Sequence, residues 1–414
     1  MSKFPERNAA TGRLSSRSAL TMLILVGVCY MINAMDRIVF SILLPNVTGD
    51  YGFSLQQGGL LATVFTLGLG LSGVPTGLAM DRLSRKTVIL LGMLVYSVLT
   101  IATAFALGFY DMAGYRVLSG LGEGMQNAAA FTAVGIYFYR SRALAIGSMN
   151  FAYGLGSFVG PVLAAQILGM TGDWRMPLVA YGLLGLAMML VALLVLSRRF
   201  TEQHAETAVG ADPSSPPSIP NGLFHRNVII CCICATGLGV TVYGYIGLYP
   251  TFLRTALQFD VRTAGLAASM FGLGAMIGIP AGWLADRFDQ IVINLVAIAL
   301  LAVNAYLLFN IVTSPAGQVL LSFVQGSAAS GFFFVNTYAL MQRSVRPDFV
   351  GRATGLVVTF LYIPASLAGY VFAMLKGEYG WGEAATLQLS MSLAVPFIAM
   401  LFFDRNAVRR PRRV

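Results

Sequence analysis

The chain has 414 residues, 57% of them hydrophobic and 11% charged, with a mean hydropathy of +0.74 and a net charge of +10. Soluble domains carry roughly 25% charged residues, so this balance excludes a soluble globular fold and places the chain in a bilayer. No phosphate-binding loop or metal-ligand cluster is present, and His204 and His225 both fall in a polar linker, so neither enzymatic activity nor a metal or cofactor is expected.

Apolar runs of about 20 residues or more predict membrane helices over 20–45, 57–80, 87–108, 111–138, 143–169 and 176–197, then over 227–253, 263–285, 290–312, 316–341, 351–375 and 383–403. The expected fold is therefore an all-α membrane protein of twelve spans, with one six-helix repeat over 20–197 and a second over 227–403. A tail (1–19) precedes them and a basic tail (404–414) follows. Ser214, Ser215, Pro216, Pro217 and Pro220 mark 198–226 as a polar linker. The first span is too long for a signal core and lacks a small-residue cleavage site, so it is expected to stay in the mature protein. Cys29, Cys231, Cys232 and Cys234 lie within predicted helices and read as small packing residues.

The basic residues orient the chain. With both termini cytoplasmic, 21 of the 27 face inward: four in the N-terminal tail, twelve in inner loops and five in the C-terminal tail. Arg175, Arg254, Arg262 and Lys376 face outward, and Arg37 and Arg116 are intramembrane. This asymmetry satisfies the positive-inside rule, so the positive charge needs no nucleic acid to explain it. Arg409, Arg410, Arg412 and Arg413 read as topological determinants beside anionic lipid. The expectation is a multi-pass protein of a bacterial inner membrane, surrounded by lipid and working as a monomer.

The two halves repeat. At an offset of 205, Pro45 falls on Pro250, Gly73 on Gly278, Pro75 on Pro280, Gly77 on Gly282, Asp81 on Asp286 and Arg82 on Arg287. Parallel six-helix repeats that rock about a midplane site are a known secondary-transporter architecture.

Four ionisable side chains lie inside apolar spans: Asp36 and Arg37 in the first, Arg116 and Glu123 in the fourth. A charge at the bilayer centre costs roughly 2.5–3.5 kcal/mol on insertion scales, so it is kept where it lines a cavity or meets a partner. Arginine holds carboxylates through paired hydrogen bonds, and a carboxylic acid can take up and release a proton. The set points to Arg37 and Arg116 as anion-binding groups and to Asp36 and Glu123 as proton carriers. Tyr30, Asn33 and Arg37 recur at helical spacing to form one polar stripe, while Gln126 and Asn127 follow Glu123 by one turn. Arg116 falls roughly 10 Å farther out along its helix than Glu123. The second half carries no intramembrane charge; Tyr245, Gln325 and Asn336 are its candidate substrate contacts, with Thr241, Thr359, Tyr362 and Ser366 beside them. Asn150 and Tyr153 in the fifth span belong to the same class of polar groups, and most such groups simply join helices.

The run from Gly77 through Asp81, Arg82, Arg85 and Lys86 resembles the loop signature of the major facilitator superfamily, with Ser84 in place of its second glycine. Gly282, Asp286 and Arg287 resemble a weakened second copy, without the basic pair. The resemblance implies a gate at the cytoplasmic ends of the helices, formed by Gly77, Asp81, Arg82, Arg85, Lys86, Arg142, Asp286 and Arg287. In it Asp81 would meet Arg82, Arg85, Arg140, Arg142 or the start of the eleventh helix near Gly351. Met35-Asp36-Arg37 and Arg116-x-x-x-Gly120-x-Gly122-Glu123-Gly124 resemble motifs of the anion:cation symporter family, although that family's proline shortly after the glutamate is absent. Spinster-like lipid carriers share the same elements. The symporter resemblance implies proton-driven uptake of a small organic anion by alternating access. The alternative is proton-coupled export of an amphiphile, drug or lysolipid, because Gly156-x-x-x-Gly160-Pro161 resembles an element of drug exporters. A non-transporting receptor is a third class.

Overall fold

The computed structural model describes residues 14–53, 55–203, 219–220, 222–259 and 261–408. His204, the Ser214–Pro217 run and Arg409, Arg410, Arg412 and Arg413 lie outside the described residues, as do the side chains of Ser41, Arg140 and Pro161.

The structure is built from helices. In the first half they are α1 (Ser16–Tyr51), α2 (Leu55–Ala79), α3 (Arg85–Ala104), α4 (Phe109–Tyr137), α5 (Arg142–Thr171), α6 (Arg175–Val195) and the short α7 (Arg198–Thr201). In the second half they are α8 (Arg226–Thr255), α9 (Val261–Ala275), α10 (Gly278–Arg287), α11 (Gln290–Tyr306), α12 (Pro315–Gly326), α13 (Val335–Ser344), α14 (Val350–Tyr379), α15 (Trp381–Ala385) and α16 (Ala394–Leu401). Ten helical segments of the described residues are long and apolar enough to cross a membrane. The predicted spans near 57–80 and 111–138 also fold as helices, α2 and α4; α4 falls short of that standard because Arg116, Glu123, Gln126 and Asn127 dilute it.

The boundaries have local causes. Ser84 caps α3 by accepting a hydrogen bond from Thr87 N, which gives a physical role to the serine that stands where the resembled loop has glycine. Gly172, at φ 71°, ends α5 in the left-handed region that favours glycine. The predicted eighth span is interrupted between α9 and α10, where Met276 N and Ile277 N bond three residues back, to Leu273 O and Gly274 O. Pro280 explains the break, because its ring clashes with the carbonyl four residues earlier and it supplies no amide hydrogen. Between α12 and α13 the chain stays helical but widens into a π-helical stretch, Ser327–Phe334.

Each half packs within itself, and the halves meet along two seams, α2 against α14 and α5 against α9 and α10. Glycines make both seams close. A Cβ on Gly73 or on Gly355 would overlap the other residue's carbonyl oxygen, and one on Gly77 would lie 3.0 Å from Arg352 Cα. Across the second seam, Gly278 meets Gly147 O at 2.6 Å on the same measure and Gly282 overlaps Ala143 O. The pairs Gly73/Gly278 and Gly77/Gly282, matched by the 205-residue offset, thus do the same packing work in the two seams. Gly156 and Gly160 similarly admit α1, against Met31 and Met35, so close packing accounts for that glycine pair.

Overpacking such a contact typically costs about 1–3 kcal/mol. Gly355→Ala is therefore expected to lower the melting temperature of the detergent-solubilised protein. Gly114→Ala, at a helical position with nothing within 4 Å of the new methyl, is expected to leave it unchanged or raise it. Equal melting temperatures for both variants in a thermal scan would contradict the tight seam.

Candidate functional site

The site is assembled on α1 and α4. Gly120, Gly122 and Gly124 let α4 settle into its neighbours: a Cβ on Gly122 would sit 2.7 Å from Tyr96 N, one on Gly120 would overlap Phe65 O, and one on Gly124 would overlap Ser72 Oγ. This close fit leaves Glu123 fully buried opposite Arg37 of α1.

Arg37 is the hub. Its Nε donates to Glu123 Oε2 at 3.1 Å, Nη2 to Asn33 Oδ1 at 3.0 Å, and Nη1 to the Tyr362 hydroxyl of α14 at 2.9 Å. The guanidinium also lies 5.7 Å from the centre of the Tyr153 ring and 5.4 Å from that of Tyr362. Asn33 Nδ2 in turn donates to Gln126 Oε1 at 3.0 Å. The predicted stripe on α1 and the turn after Glu123 therefore meet in one network, and Tyr362 carries it across to the second half.

Asp36 is buried on the adjoining face of α1. Its Oδ2 accepts from Thr100 Oγ1 at 2.7 Å, and its carboxyl lies within hydrogen-bonding reach of Glu123. Asp36 Oδ1 and Glu123 Oε1 have no other partner among the described residues. The two acids are thus near neighbours. A proton on one carboxyl can be shared with the other, whereas two bare carboxylates there repel.

Arg116 is placed differently from Arg37. It is buried between the rings of Phe40 on α1 and Phe65 on α2, with its guanidinium carbon 4.4 and 4.3 Å from their centres. No carboxylate lies within salt-bridge distance of it among the described residues. The structure therefore does not bring it to the same point as Arg37.

A cavity of about 40 Å³ lies between the halves, lined by Tyr30, Asn150 and Tyr153 from the first and by Tyr243, Phe271, Ser330, Phe334 and Tyr362, among others, from the second. Of the second-half residues singled out from sequence, Tyr362 reaches it. Tyr245 instead bonds Ser322 at 2.8 Å and stacks on Tyr249. Gln325 accepts from Asn304 at 2.6 Å, and Asn336 donates to Phe332 O at 3.0 Å. Asn127 is buried without a partner among the described residues. Tyr243 and Phe334 were not anticipated: both are apolar-span aromatics, and nothing in their spacing distinguishes a cavity wall from core packing.

At the end of the bundle near both chain termini, Asp81 Oδ2 accepts from Arg352 Nε at 2.9 Å and Nη2 at 2.6 Å, at the start of α14. Its counterpart Asp286 accepts from the backbone amides of Ala143 and Leu144 in the first turn of α5, at 3.2 and 2.9 Å, and from Arg343 at 2.6 Å. Each copy of the Asp-Arg motif thus ties its half to the other. Arg85 and Lys86 turn elsewhere: Arg85 donates to Thr201 O and Gln203 O at 2.9 and 3.2 Å, and Lys86 Nζ to Leu193 O at 2.8 Å, satisfying carbonyls at the ends of α6 and α7. Arg142 binds Gly135 O at 2.7 Å, Arg287 stacks on Trp283, and Arg82 is exposed.

The chain is similar to known transporters. The chain is 24% identical over 417 residues to the hexuronate transporter of Bacillus subtilis, covering 96% of this chain and 97% of that one. It is 29% identical over 302 residues to the gallate transporter of Pseudomonas putida, covering 65% and 67%. A solved proton:xylose symporter superposes with a TM-score of 0.78 at 12% identity, over 94% of this chain and 97% of that one, which shows a shared fold. The sequence model of the Major Facilitator Superfamily matches residues 26–369. With its repeats, apolar helices and paired Asp-Arg motifs, the chain belongs to the Major Facilitator Superfamily and is a multi-pass membrane transporter.

Proposed function

We propose that this transporter is a proton-coupled symporter of a small organic anion, working by alternating access, with twelve spans in a bacterial inner membrane and both termini in the cytoplasm. The observation that carries the reading is the placement of Arg37, which holds Glu123 within one half and Tyr362 across to the other. The acids named for the relatives, hexuronate and gallate, are carboxylates that a guanidinium can bind.

The chemistry follows from charge balance. Asp36, Glu123, Arg37 and Arg116 sum to zero when all are ionised. One proton together with one monoanion keeps the sum at zero, whereas either alone leaves a net charge in a low-dielectric site. Protonation of Glu123 weakens its hold on Arg37 Nε and frees that edge of the guanidinium for a substrate carboxylate. Asp36, within reach of Glu123, passes or shares the proton, and Arg116 keeps both acids responsive to charge. The pairs Asp81–Arg352 and Asp286–α5 then close the cytoplasmic side and favour the outward-facing state.

Glu123→Gln imitates the protonated acid. The variant is expected to bind substrate and exchange it in counterflow, yet fail to accumulate it on a proton gradient in the same proteoliposomes; gradient-driven accumulation would remove Glu123 from the coupling step. Arg37→Lys is expected to weaken carboxylate binding by about tenfold or more, because a point charge cannot serve three divergent acceptors. Arg116→Lys should weaken it much less, and calorimetry that ranked the two variants the other way would contradict the assignment. Asp81→Asn is expected to slow turnover while leaving affinity within about twofold, since it perturbs the balance between states rather than the cavity. Loss of binding with normal helical content would refute the gating role.

A further inference from the structure

A second cavity lies on the flank of the second half. It encloses about 400 Å³ between α8, α14 and the chain entering α16, with Phe224, Ile229, Ile233, Phe360 and Val395 on its walls. Every lining residue belongs to the second half, so this groove is no part of the space between the repeats. Its origin is local. Gly237 brings α8 against Pro396, where a Cβ would sit 2.8 Å from the proline Cγ. Before α16 the chain leaves the α-helical path, first as a π-helical stretch (Thr386–Ser390) and then as a 3₁₀ turn (Met391–Leu393). The wall is dry. Thr236 donates its hydroxyl to Phe360 O at 3.0 Å and Ser392 donates to Gln388 O, and the other lining side chains are apolar apart from the Cys232 thiol, which behaves as a small hydrophobe.

Along α8 the groove runs from Val228 to Val240, about 18 Å at 1.5 Å per residue, close to one leaflet of a hydrocarbon core roughly 30 Å thick. Phe224, Ile229, Phe360 and Val395 are exposed, so in a bilayer the groove opens onto lipid. Its mouth lies at the end of the bundle near the chain termini. There Asn227 Nδ2 donates to Asp404 O at 2.9 Å and Asn227 Oδ1 accepts from Asp404 N at 2.9 Å, which moors the chain leaving α16 beside the first turn of α8. Arg226 precedes Ile229 and Ile233 at helical spacing and so shares their side of α8. It is exposed and makes no ion pair among the described residues. On the moored segment Arg405 is paired with Asp289 at 3.3 Å, and Asp404 turns its carboxylate to Asn406 N at 2.9 Å. The sequence that follows, with Arg409, Arg410, Arg412 and Arg413, has no apolar run that could fill the slot; a lipid hydrocarbon chain has.

We infer that this groove is a binding site for an anionic phospholipid, with one acyl chain lying along α8 from Ile229 to Val240 and the phosphate on Arg226. Basic residues just outside an apolar span attract anionic headgroups, and the groove adds a fixed place for the chain. Phe360 on the groove wall and Tyr362, which meets Arg37, are two residues apart and face nearly opposite sides of α14. The bound chain therefore packs the outer side of the helix whose inner side contacts the charged centre.

The test uses the full-length protein, stripped of lipid by extended detergent washing, and two probes with the same acyl chains, dioleoylphosphatidylglycerol and dioleoylphosphatidylcholine. Native mass spectrometry counts the adducts and gives their affinities. One phosphatidylglycerol should bind at least about fivefold more tightly than phosphatidylcholine, the worth of one arginine near an anionic headgroup. Arg226→Gln should equalise the two lipids. Ile233→Trp, which fills the groove from a half-buried position, should weaken both by about tenfold or more. Val296→Trp, at an exposed position of α11 outside the groove, should bind both like the wild type. The melting temperature of lipid-free Ile233→Trp shows whether it folds normally; if it does not, Arg226→Gln, on the exposed surface, decides. Equal affinities for the two lipids in the wild type, or wild-type binding of phosphatidylglycerol by a folded Ile233→Trp, would overturn the site. So would a lipid-free dimer that takes up neither lipid, because a second copy would then cover the groove.

Discussion

A guanidinium buried among apolar helices must be neutralised where it stands, and Arg37 does this with three hydrogen bonds running to three different helical elements. Two of them fix α1 against α4 and along its own turn; the third is the link from the charged centre of the first half to the second. The demand for neutrality and the contact between repeats therefore rest on one side chain. In the proposed cycle a change in the charge of Glu123 alters how much of Arg37 is free, and Tyr362 feels it directly. In the same proposal Asp36, buried on the adjoining face of α1, shares the proton with Glu123.

In the proposed cycle the seams around this centre must separate as well as close. Glycine-lined contacts between α2 and α14 and between α5 and α10 bring backbones together with few side chains to unthread. The charged ties across them, Asp81 with Arg352 and Asp286 with the start of α5, sit at the bundle end near the termini. Asp81–Arg352 is partly exposed, with both side chains 38% accessible, so water can replace the pair when it opens. Asp286 uses the first amides of α5, whose hydrogen bonding is unsatisfied within that helix in any state.

Much of this was legible in the sequence because its cause is composition and spacing. Charges inside an apolar span announce themselves, and Arg37 of α1 meets Glu123 of α4. The 205-residue offset exposed the glycines before the seams were visible, because close helix contact tolerates few other residues. Orientation around a helix axis was harder to read. Tyr243 and Tyr245 are two residues apart and so face nearly opposite sides; the choice of Tyr245 as the cavity group had no sequence signal to correct it. Gln325 and Asn336 share a face only on an unbroken α-helix, and the π-helical stretch Ser327–Phe334 between them shifts the phase. Nothing in the sequence shows that Phe40 and Phe65 would enclose Arg116.

The absence of intramembrane charge from the second half now has a physical reason within the proposed cycle. Halves that rock apart must break whatever joins them near the bilayer centre. Removing one partner from a buried ion pair costs about 3–5 kcal/mol, because the other charge is left uncompensated. A hydrogen bond from a charged group to a neutral one contributes about 1.5–3 kcal/mol. With Glu123 beside it in the same half, Arg37 keeps its counter-ion when Tyr362 departs, so the halves part at the smaller cost. Among the described residues no buried ion pair crosses between the halves; the crossing pair, Asp81–Arg352, stands where water reaches it. Confining the four charges to one repeat, and giving the other neutral phenols and rings, lets the site stay compensated through every stage of a motion that its own central contact must repeatedly interrupt.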